Sequence, residues 1–220
     1  MYAKSEATIA AILSAAEKLF LARNYAHVAM DDIAEAAGVT KGALYHHFKS
    51  KKDLYLAMMH GDLGQKQARM HAGVEMAGSC FERLRRLTES FLELPPEKRD
   101  LIKLVRRDVN IFKGAARDRL VRAYQAALPD QVEIILRDGM RSGKVTDADP
   151  RLLAWMFVAI VEVALTPYAG RVLDDRAAML DFVMGLFFQG AGRPARRALS
   201  REDRRARTAV PVWGSSQEGA

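Results

Sequence analysis

The chain lacks several features that would place it outside the cell or in a membrane. Cys80 is its only cysteine, which excludes an intrachain disulfide. The longest apolar run, residues 152–165, is too short to cross a bilayer and contains Glu162. No signal peptide is recognisable, because Lys4 and Glu6 precede an amphipathic stretch that continues into the fold. We therefore expect a soluble, cytoplasmic protein with no membrane partner.

The motifs of common enzyme classes are also missing. The sequence has no nucleophile elbow, no phosphate-binding glycine loop and no pair of carboxylates placed for a pocket wall. His46 and His47 are adjacent, and adjacent helical residues point about 100° apart, which disfavours joint chelation of one ion. The sequence therefore predicts no catalytic residue, no metal site and no cofactor.

Strands are not expected, because no long stretch alternates apolar and polar residues with β-branched enrichment. Apolar residues recur instead at helical spacing, and the pattern predicts an all-α protein of about nine helices. The predicted helices span approximately residues 8–23, 30–37, 40–46, 51–75, 80–94, 96–112, 116–141, 151–168 and 174–189. Pro129 predicts a kink or break in the seventh of these helices.

Residues 30–48 carry the most specific pattern in the chain and predict two short helices joined by a tight turn. Gly38 ends the first helix, where a positive φ costs least in glycine. Thr40 can cap the second helix with its hydroxyl, and Leu44 and Phe48 face inward at i, i+4 spacing. A short helix with a polar, basic and aromatic outer face suits the major groove of DNA.

The outer face of the second helix, with the lysines that follow it, is the predicted DNA-reading surface. Small residues let the backbone approach the groove floor, while cations and polar side chains contact phosphates or base edges. This surface comprises Thr40, Lys41, Gly42, Ala43, Tyr45, His46, Lys49 and Lys52. A plain helical hairpin with a solvated basic face is the alternative interpretation.

The net charge of +7 does not locate this surface by itself. Residues 1–60 carry seven Lys/Arg and six Asp/Glu, whereas residues 191–220 carry seven Arg and three acids. The indication of DNA binding comes from placement, because the lysines cluster at the second short helix and just after it.

These segments resemble, in order, the DNA-binding domain of the TetR family of bacterial transcription regulators. Ile9 to Phe20 resembles the first helix of that domain, and Met30 to Ala34 resembles the second. Gly38 to Phe48 resembles its turn and recognition helix, and Lys49 to Leu54 its entry into the fourth helix. The resemblance covers about the first quarter of the chain and implies a homodimer whose remaining helices bind an effector.

The sequence departs from the family pattern at two places. The family usually has Thr or Ser where Val28 and Ala29 stand, so the second helix lacks its usual cap. Asp31 and Asp32 lie in the first turn and can favour the helix dipole instead. Asn24 stands where the family often has Gly, a mild change because Asn tolerates the left-handed conformation.

Three regions are predicted along the chain. Residues 1–50 form the helix-turn-helix DNA-binding domain, and residues 51–190 form a larger helical domain for effector binding and dimerisation. Residues 191–220 form an Arg-rich tail whose low apolar content predicts disorder.

The middle of the chain carries large apolar side chains, most of them core and a minority able to line an effector cavity. Arg106, Arg107, Asp108 and Asn110 interrupt an otherwise apolar helix. If one of the two arginines faces a cavity, it favours an acidic or phosphate-bearing effector with an apolar body, such as a fatty acid or acyl-coenzyme A. A surface face of salt bridges is the alternative. The candidate effector residues are Phe91, Leu104, Arg106, Arg107, Asn110, Phe112, Tyr124 and Met156.

The predicted helices 151–168 and 174–189 are apolar nearly all the way round and must bury both faces. One face can serve the chain's own domain, while a second copy packed as a four-helix bundle would bury the other. Complete burial in a monomer core is the alternative. The candidate interface residues are Trp155, Ala159, Val161, Glu162, Leu180, Val183, Met184 and Phe187.

The leading hypothesis is a homodimeric repressor that binds a palindromic operator and is released by a small, largely apolar effector. The helix predicted over residues 51–75 would be the lever between the two domains. A helical small-molecule-binding protein or enzyme with a vestigial helix-turn-helix is the alternative.

Overall fold

The computed structural model describes residues 2–173 and 175–191, and within these ranges every regular element is helical. The helices are Tyr2–Ala22 (α1), Met30–Ala36 (α2), Lys41–His47 (α3), Lys51–Val74 (α4), Cys80–Leu92 (α5), Pro96–Asp108 (α6), Gly114–Ala127 (α7), Pro129–Arg141 (α8), Pro150–Ala164 (α9), Ala169–Val172 (α10) and Arg176–Ala191 (α11). Two 3-10 turns lie at Tyr25–His27 and Val109–Ile111. The predicted disordered tail falls outside the described residues from position 192 onward.

The all-α prediction is confirmed, with eleven helices in the described ranges instead of about nine. The helix predicted over 116–141 divides into α7 and α8 at Leu128, as Pro129 indicated, because proline has no backbone N–H to continue the ladder. The short α10 follows α9 as a separate turn. None of the helices in the described ranges is long and apolar enough to cross a bilayer.

The first three helices form a unit that we call the reading head (α1–α3). Its core consists of fully buried side chains that include Ile12, Phe20, Ile33 and Leu44. Gly38 has a φ of 65° at the turn between α2 and α3, which is the conformation that favours glycine there. The head is therefore closed by the residues that the sequence pattern identified.

The helix caps in the head and at the start of α4 follow the sequence. The Ala43 N–H donates to Oγ1 of Thr40 at 3.2 Å, and the Asp53 N–H donates to Oγ of Ser50 at 3.1 Å. At the uncapped start of α2, the Ala29 N–H donates to the Asp32 carboxylate at 3.1 Å. Asp32 thus binds a backbone N–H that precedes the helix, in addition to its favourable position at the dipole.

The remaining helices form the body (α5–α11), and α4 runs from the head into it. Helix α4 packs against α1 on one side and against α5, α7 and α8 on the other, with Leu63 and Met70 fully buried. Helix α8 packs against α9, and α11 packs against α5 and α9. Within the described residues the core is continuous from head to body.

Candidate DNA-reading surface and effector cavity

Helix α3 presents the side that the sequence predicted to read DNA. Leu44 is fully buried and Phe48 is nearly so, which fixes the helix against α1 and α2. Tyr45 is 39% exposed on the opposite side. Thr40, Lys41, Gly42 and His46 are exposed as well, and Ala43 is partly exposed. The structure therefore leaves all these positions accessible to solvent.

The lysines near this face have different surroundings. Lys49 and Lys52 are exposed, while Nζ of Lys41 lies 2.9 Å from Oδ2 of Asp31 on α2. The hydrogen bond to Asp31 raises the pKa of Lys41, so it stays charged at neutral pH. Three cations are thus available around α3 for phosphates or base edges.

Lys51 lies among these cations in the sequence but faces inward. Its Nζ donates to the carbonyl oxygens of Tyr25 and Val28, both at 2.8 Å, and lies 4.5 Å from the centre of the Tyr25 ring. Lys51 therefore holds the segment between α1 and α2 against the start of α4. The sequence alone did not separate Lys51 from its neighbour Lys52.

The body contains a small cavity of about 30 Å³ between α5, α6, α8 and α9. Its walls are almost entirely apolar and are formed by Leu87, Thr88, Phe91, Ile102, Leu128, Val132, Phe157, Val158, Val161 and Glu162. The hydroxyl of Thr88 donates to the carbonyl oxygen of Leu84 at 2.8 Å, so it adds no free polar group to the wall. Such a chamber accepts an apolar group.

A second chamber of about 150 Å³ adjoins the first and shares Phe91, Ile102 and Glu162 with it. The other residues around this second chamber are Arg99, Lys103, Arg106 and Leu165. Three of these four side chains are basic. The two chambers together therefore form an apolar interior with a basic mouth.

Glu162 borders both chambers, and we call its position the neck. Its carboxylate accepts a hydrogen bond from the hydroxyl of Tyr124 at 3.2 Å, and its Oε2 lies 2.5 Å from Nη1 of Arg106. Burial raises the pKa of Glu162 against the opposing effect of Arg106. Burial, followed by the nearby Glu162 charge, raises the pKa of Tyr124 to about 12. The neck is therefore closed by an ion pair between α6 and α9.

The structure brings together only some of the predicted effector residues. Phe91 and Arg106 line the chambers, and Tyr124 contacts the neck through Glu162. The other five lie elsewhere: Leu104 and Arg107 face a groove against α1, Phe112 packs on Tyr25 and Tyr55, Asn110 is exposed, and Met156 is half-exposed on the outside of α9. These five residues therefore line neither chamber.

The reason for the mixed outcome is geometric. Arg106 and Arg107 are adjacent and point about 100° apart, so they cannot both face one cavity. Sequence reasoning also missed the role of Glu162, which it assigned to a dimer interface. Glu162 is the only charged residue between Leu152 and Leu165, and a buried charge needs a partner. That isolation was the signal that could have identified it.

Most of the predicted interface residues lie inside the chain and not on its surface. Val161, Leu180, Val183, Met184 and Phe187 are all buried within the chain's own core, because α9 and α11 turn these sides towards each other and towards α5 and α8. Half-buried Trp155 packs on Tyr124, with ring centroids 5.7 Å apart, and Glu162 lies at the neck. Of the eight residues, Ala159 alone borders the outer apolar surface.

That outer surface involves the same two helices but other residues. Large apolar side chains there are at least half exposed: Leu152, Met156 and Val163 on α9, Tyr168 and Val172 at α10, and Phe182 and Leu186 on α11. Most of them surround a depression of about 370 Å³ whose lining is apolar. We call this set the outer apolar face.

Comparison with known proteins identifies both parts of the chain. A family model described as "Bacterial regulatory proteins, tetR family" matches residues 12–58. A second model, described as "Tetracyclin repressor-like, C-terminal domain", matches residues 77–166. The uncharacterized HTH-type transcriptional regulator YhgD of Bacillus subtilis (strain 168) is 25% identical over 149 residues, which are 68% of this chain and 78% of that protein.

Two solved structures share the fold over most of the chain. One is the transcriptional regulator FadR from Bacillus subtilis in complex with stearoyl-CoA, with a TM-score of 0.69 at 20% identity. The match covers 82% of this chain and 97% of the FadR chain. The other is AibR in complex with isovaleryl coenzyme A and operator DNA, with a TM-score of 0.66 at 22% identity. The match covers 83% of this chain and 97% of the AibR chain. At these identities the likeness demonstrates the fold alone.

Proposed function

We propose that this chain, which belongs to the TetR family of bacterial transcription regulators, is a homodimeric repressor released from its operator by an acyl-coenzyme A. The family membership makes it a transcription regulator and not an enzyme. The observation that carries the effector proposal is the apolar chamber behind a basic mouth.

The two chambers fit an amphiphilic ligand. An acyl chain would enter the apolar interior, and an anionic head would meet Arg99 and Lys103 at the mouth. The carboxylate of Glu162 at the neck would repel a free fatty-acid carboxylate placed beside it, whereas a thioester is neutral at that point and keeps its phosphates outside. This difference favours the coenzyme A thioester over the free acid.

The size of the interior implies that binding changes the shape of the body. A cavity of about 30 Å³ has room for no more than a few water molecules, so a longer acyl chain must displace side chains such as Phe91 or Phe157. The occupied body therefore differs from the empty one. A ligand that binds the two states with different affinity shifts the equilibrium between them.

The outer apolar face supports the homodimer. A contiguous exposed patch of this kind is typical of an interaction surface. Because α9 and α11 both contribute to it, two copies related by a twofold axis would bury the face as a four-helix bundle. Each subunit would then place one α3 in the major groove of a palindromic half-site, as the exposed side of α3 allows.

Operator sequences selected from random duplexes by the full chain would supply the probe for a fluorescence anisotropy titration. We expect tight binding to selected duplexes and release by stearoyl-CoA or isovaleryl-CoA, with free stearate and isovalerate much weaker. Release by the free acids alone would exclude the thioester assignment. A chain that binds no duplex at low salt would exclude the repressor itself.

A further inference from the structure

Two consecutive arginines on the last turn of α6 point to different parts of the molecule. Nη1 of Arg106 lies 2.5 Å from Oε2 of Glu162 at the neck of the cavity. Arg107 points to the head, where its Nη2 donates to the carbonyl oxygen of Phe20 at 3.0 Å and lies 3.4 Å from that of Arg23. One turn of α6 thus contacts both the effector cavity and the end of α1.

The contact at α1 has a physical basis in the helix terminus. The last carbonyl groups of a helix have no partner within it and lie at the negative end of the helix dipole. Phe20 belongs to the last turn of α1, which ends at Ala22. The guanidinium of Arg107 therefore supplies both a donor and a positive charge where α1 needs them.

Two buried side chains, Asp108 on α6 and Tyr55 on α4, hold Arg107 in this orientation. Asp108, which is 2% exposed, accepts hydrogen bonds from Nε and Nη2 of Arg107, both at 2.8 Å. The hydroxyl of fully buried Tyr55 on α4 donates to the same carboxylate at 2.9 Å. Paired bonds to a carboxylate fix the plane of a guanidinium. The side chain of Arg107 is thus oriented before it contacts α1.

An ion pair joins the same two helices at a second point. Nζ of Lys98 near the start of α6 donates to both carboxylate oxygens of Glu17 on α1, each at 2.7 Å. Lys98 and Arg107 are nine residues apart in the sequence, which corresponds to roughly 13 Å along a helix. Helices α1 and α6 are therefore attached at two separated points, and Arg107 provides the one on the turn that also carries Arg106.

We infer that Arg107 is the positioning residue that transmits occupancy of the effector cavity to the reading head, a role that rests on the proposed function. A ligand whose acyl chain passes between the two chambers separates Arg106 from Glu162 and frees α6 from α9. Arg107 keeps the same turn of α6 attached to α1, so the movement reorients α1 together with α2 and α3. The α6–α1 contact is thus a route distinct from α4.

A double-mutant cycle on operator affinity tests this route without any effector. Glu162→Gln weakens the ion pair at the neck and therefore resembles the occupied state, so it should weaken operator binding by about tenfold. The same substitution should change the affinity by less than about twofold when Arg107→Gln is also present. Additive effects of the two substitutions, or no effect of Glu162→Gln alone, would overturn the inference.

Arg137→Gln provides the matched control. Arg137 forms an i, i+4 pair with Glu133 on α8, away from the α6–α1 contact. The full effect of Glu162→Gln should persist with Arg137→Gln, and its loss there would show a general response to arginine removal and contradict the inference. Circular dichroism melting establishes that each variant is folded.

Tyr55→Phe is the second variant if Arg107→Gln does not fold. It keeps the ring and removes the hydroxyl that donates a hydrogen bond to Asp108. The loss of operator affinity caused by Glu162→Gln should then fall from about tenfold to about threefold. An undiminished tenfold effect would then overturn the inference.

Stearoyl-CoA distinguishes this inference from the proposed function. It should bind the wild type and Arg107→Gln equally in calorimetry but release only the wild type from the operator. If the wild type binds no operator, the proposed function and the role of Arg107 are both contradicted. A wild type that stearoyl-CoA releases normally, beside an additive cycle, contradicts only the role of Arg107.

Discussion

Hydrophobic periodicity predicts the buried side of a helix in the reading head but not in α9 and α11 of the body. In the head, each predicted position of α3 lies on the expected side, because Leu44 and Phe48 are the apolar residues at helical spacing. In α9 and α11, apolar residues occur on every side, so periodicity does not say which side faces the core. A face is predictable only where the sequence contrasts apolar with polar residues.

The largest expected effect tests the assignment of the outer apolar face. Val163 is 66% exposed, so Val163→Asp should leave the monomer folded while it places a charge in the dimer interface. The variant should sediment as a monomer and bind operator at least about a hundredfold more weakly, since bivalent attachment is lost. Sedimentation velocity and anisotropy measure the two effects.

Two further substitutions sharpen that result. Met76→Asp, at another exposed apolar position, should remain dimeric with full operator affinity. Phe187→Asp should unfold the chain, because Phe187 packs against Phe157 in the core at a ring-centroid distance of 4.9 Å. A folded, monomeric Phe187→Asp beside a dimeric Val163→Asp would restore the interface predicted from the sequence.

The neighbouring residues Lys51 and Lys52 provide the next comparison, between a structural and a DNA-binding cation. Lys51→Met should lower the free energy of unfolding by about 2 kcal/mol, because two carbonyl groups lose a charged donor. Lys52→Ala should leave stability unchanged and lower the slope of log affinity against log salt by about 0.9. Thermal melts measure the stability and salt titrations measure the slope. A stability loss in Lys52→Ala with a lower slope in Lys51→Met would contradict the assignment.

A smaller effect is expected at the helix cap of α3. Thr40→Ala removes the acceptor of the Ala43 N–H and should cost about 1 kcal/mol of stability. Thr40→Ser keeps the hydroxyl and should restore the wild-type midpoint in urea denaturation. If serine fails to restore stability, the methyl group of Thr40, and not its hydroxyl, is what the head requires.

The smallest expected effect concerns pH. Burial raises the pKa of Glu162 in the folded chain, so the folded state holds this proton more tightly than the unfolded state does. That contribution is fully present below the unfolded pKa and is lost as pH rises through the folded pKa. The free energy of unfolding of Glu162→Gln should therefore fall less across this pH window than that of the wild type. Equal falls in the two proteins would contradict the prediction.

The structure of the head could be predicted from the sequence because its determinants are local. A positive φ at Gly38, a hydroxyl at Thr40 and an apolar pair four residues apart each act within one or two turns. The break before Pro129 has the same origin, since it depends on one residue's missing N–H. These features need no knowledge of what lies across the molecule.

The effector cavity and the two arginines of α6 depended on tertiary structure. Arg106 and Arg107 are chemically identical neighbours, and the packing of α6 between α9 and α1 decides that one meets Glu162 and the other Phe20. The sequence by itself determined the helices, the reading head and the presence of charges within apolar segments. Only the packing of distant helices decided which partner each charge meets and which sides of α9 and α11 remain exposed, because those choices depend on contacts between residues far apart in the chain.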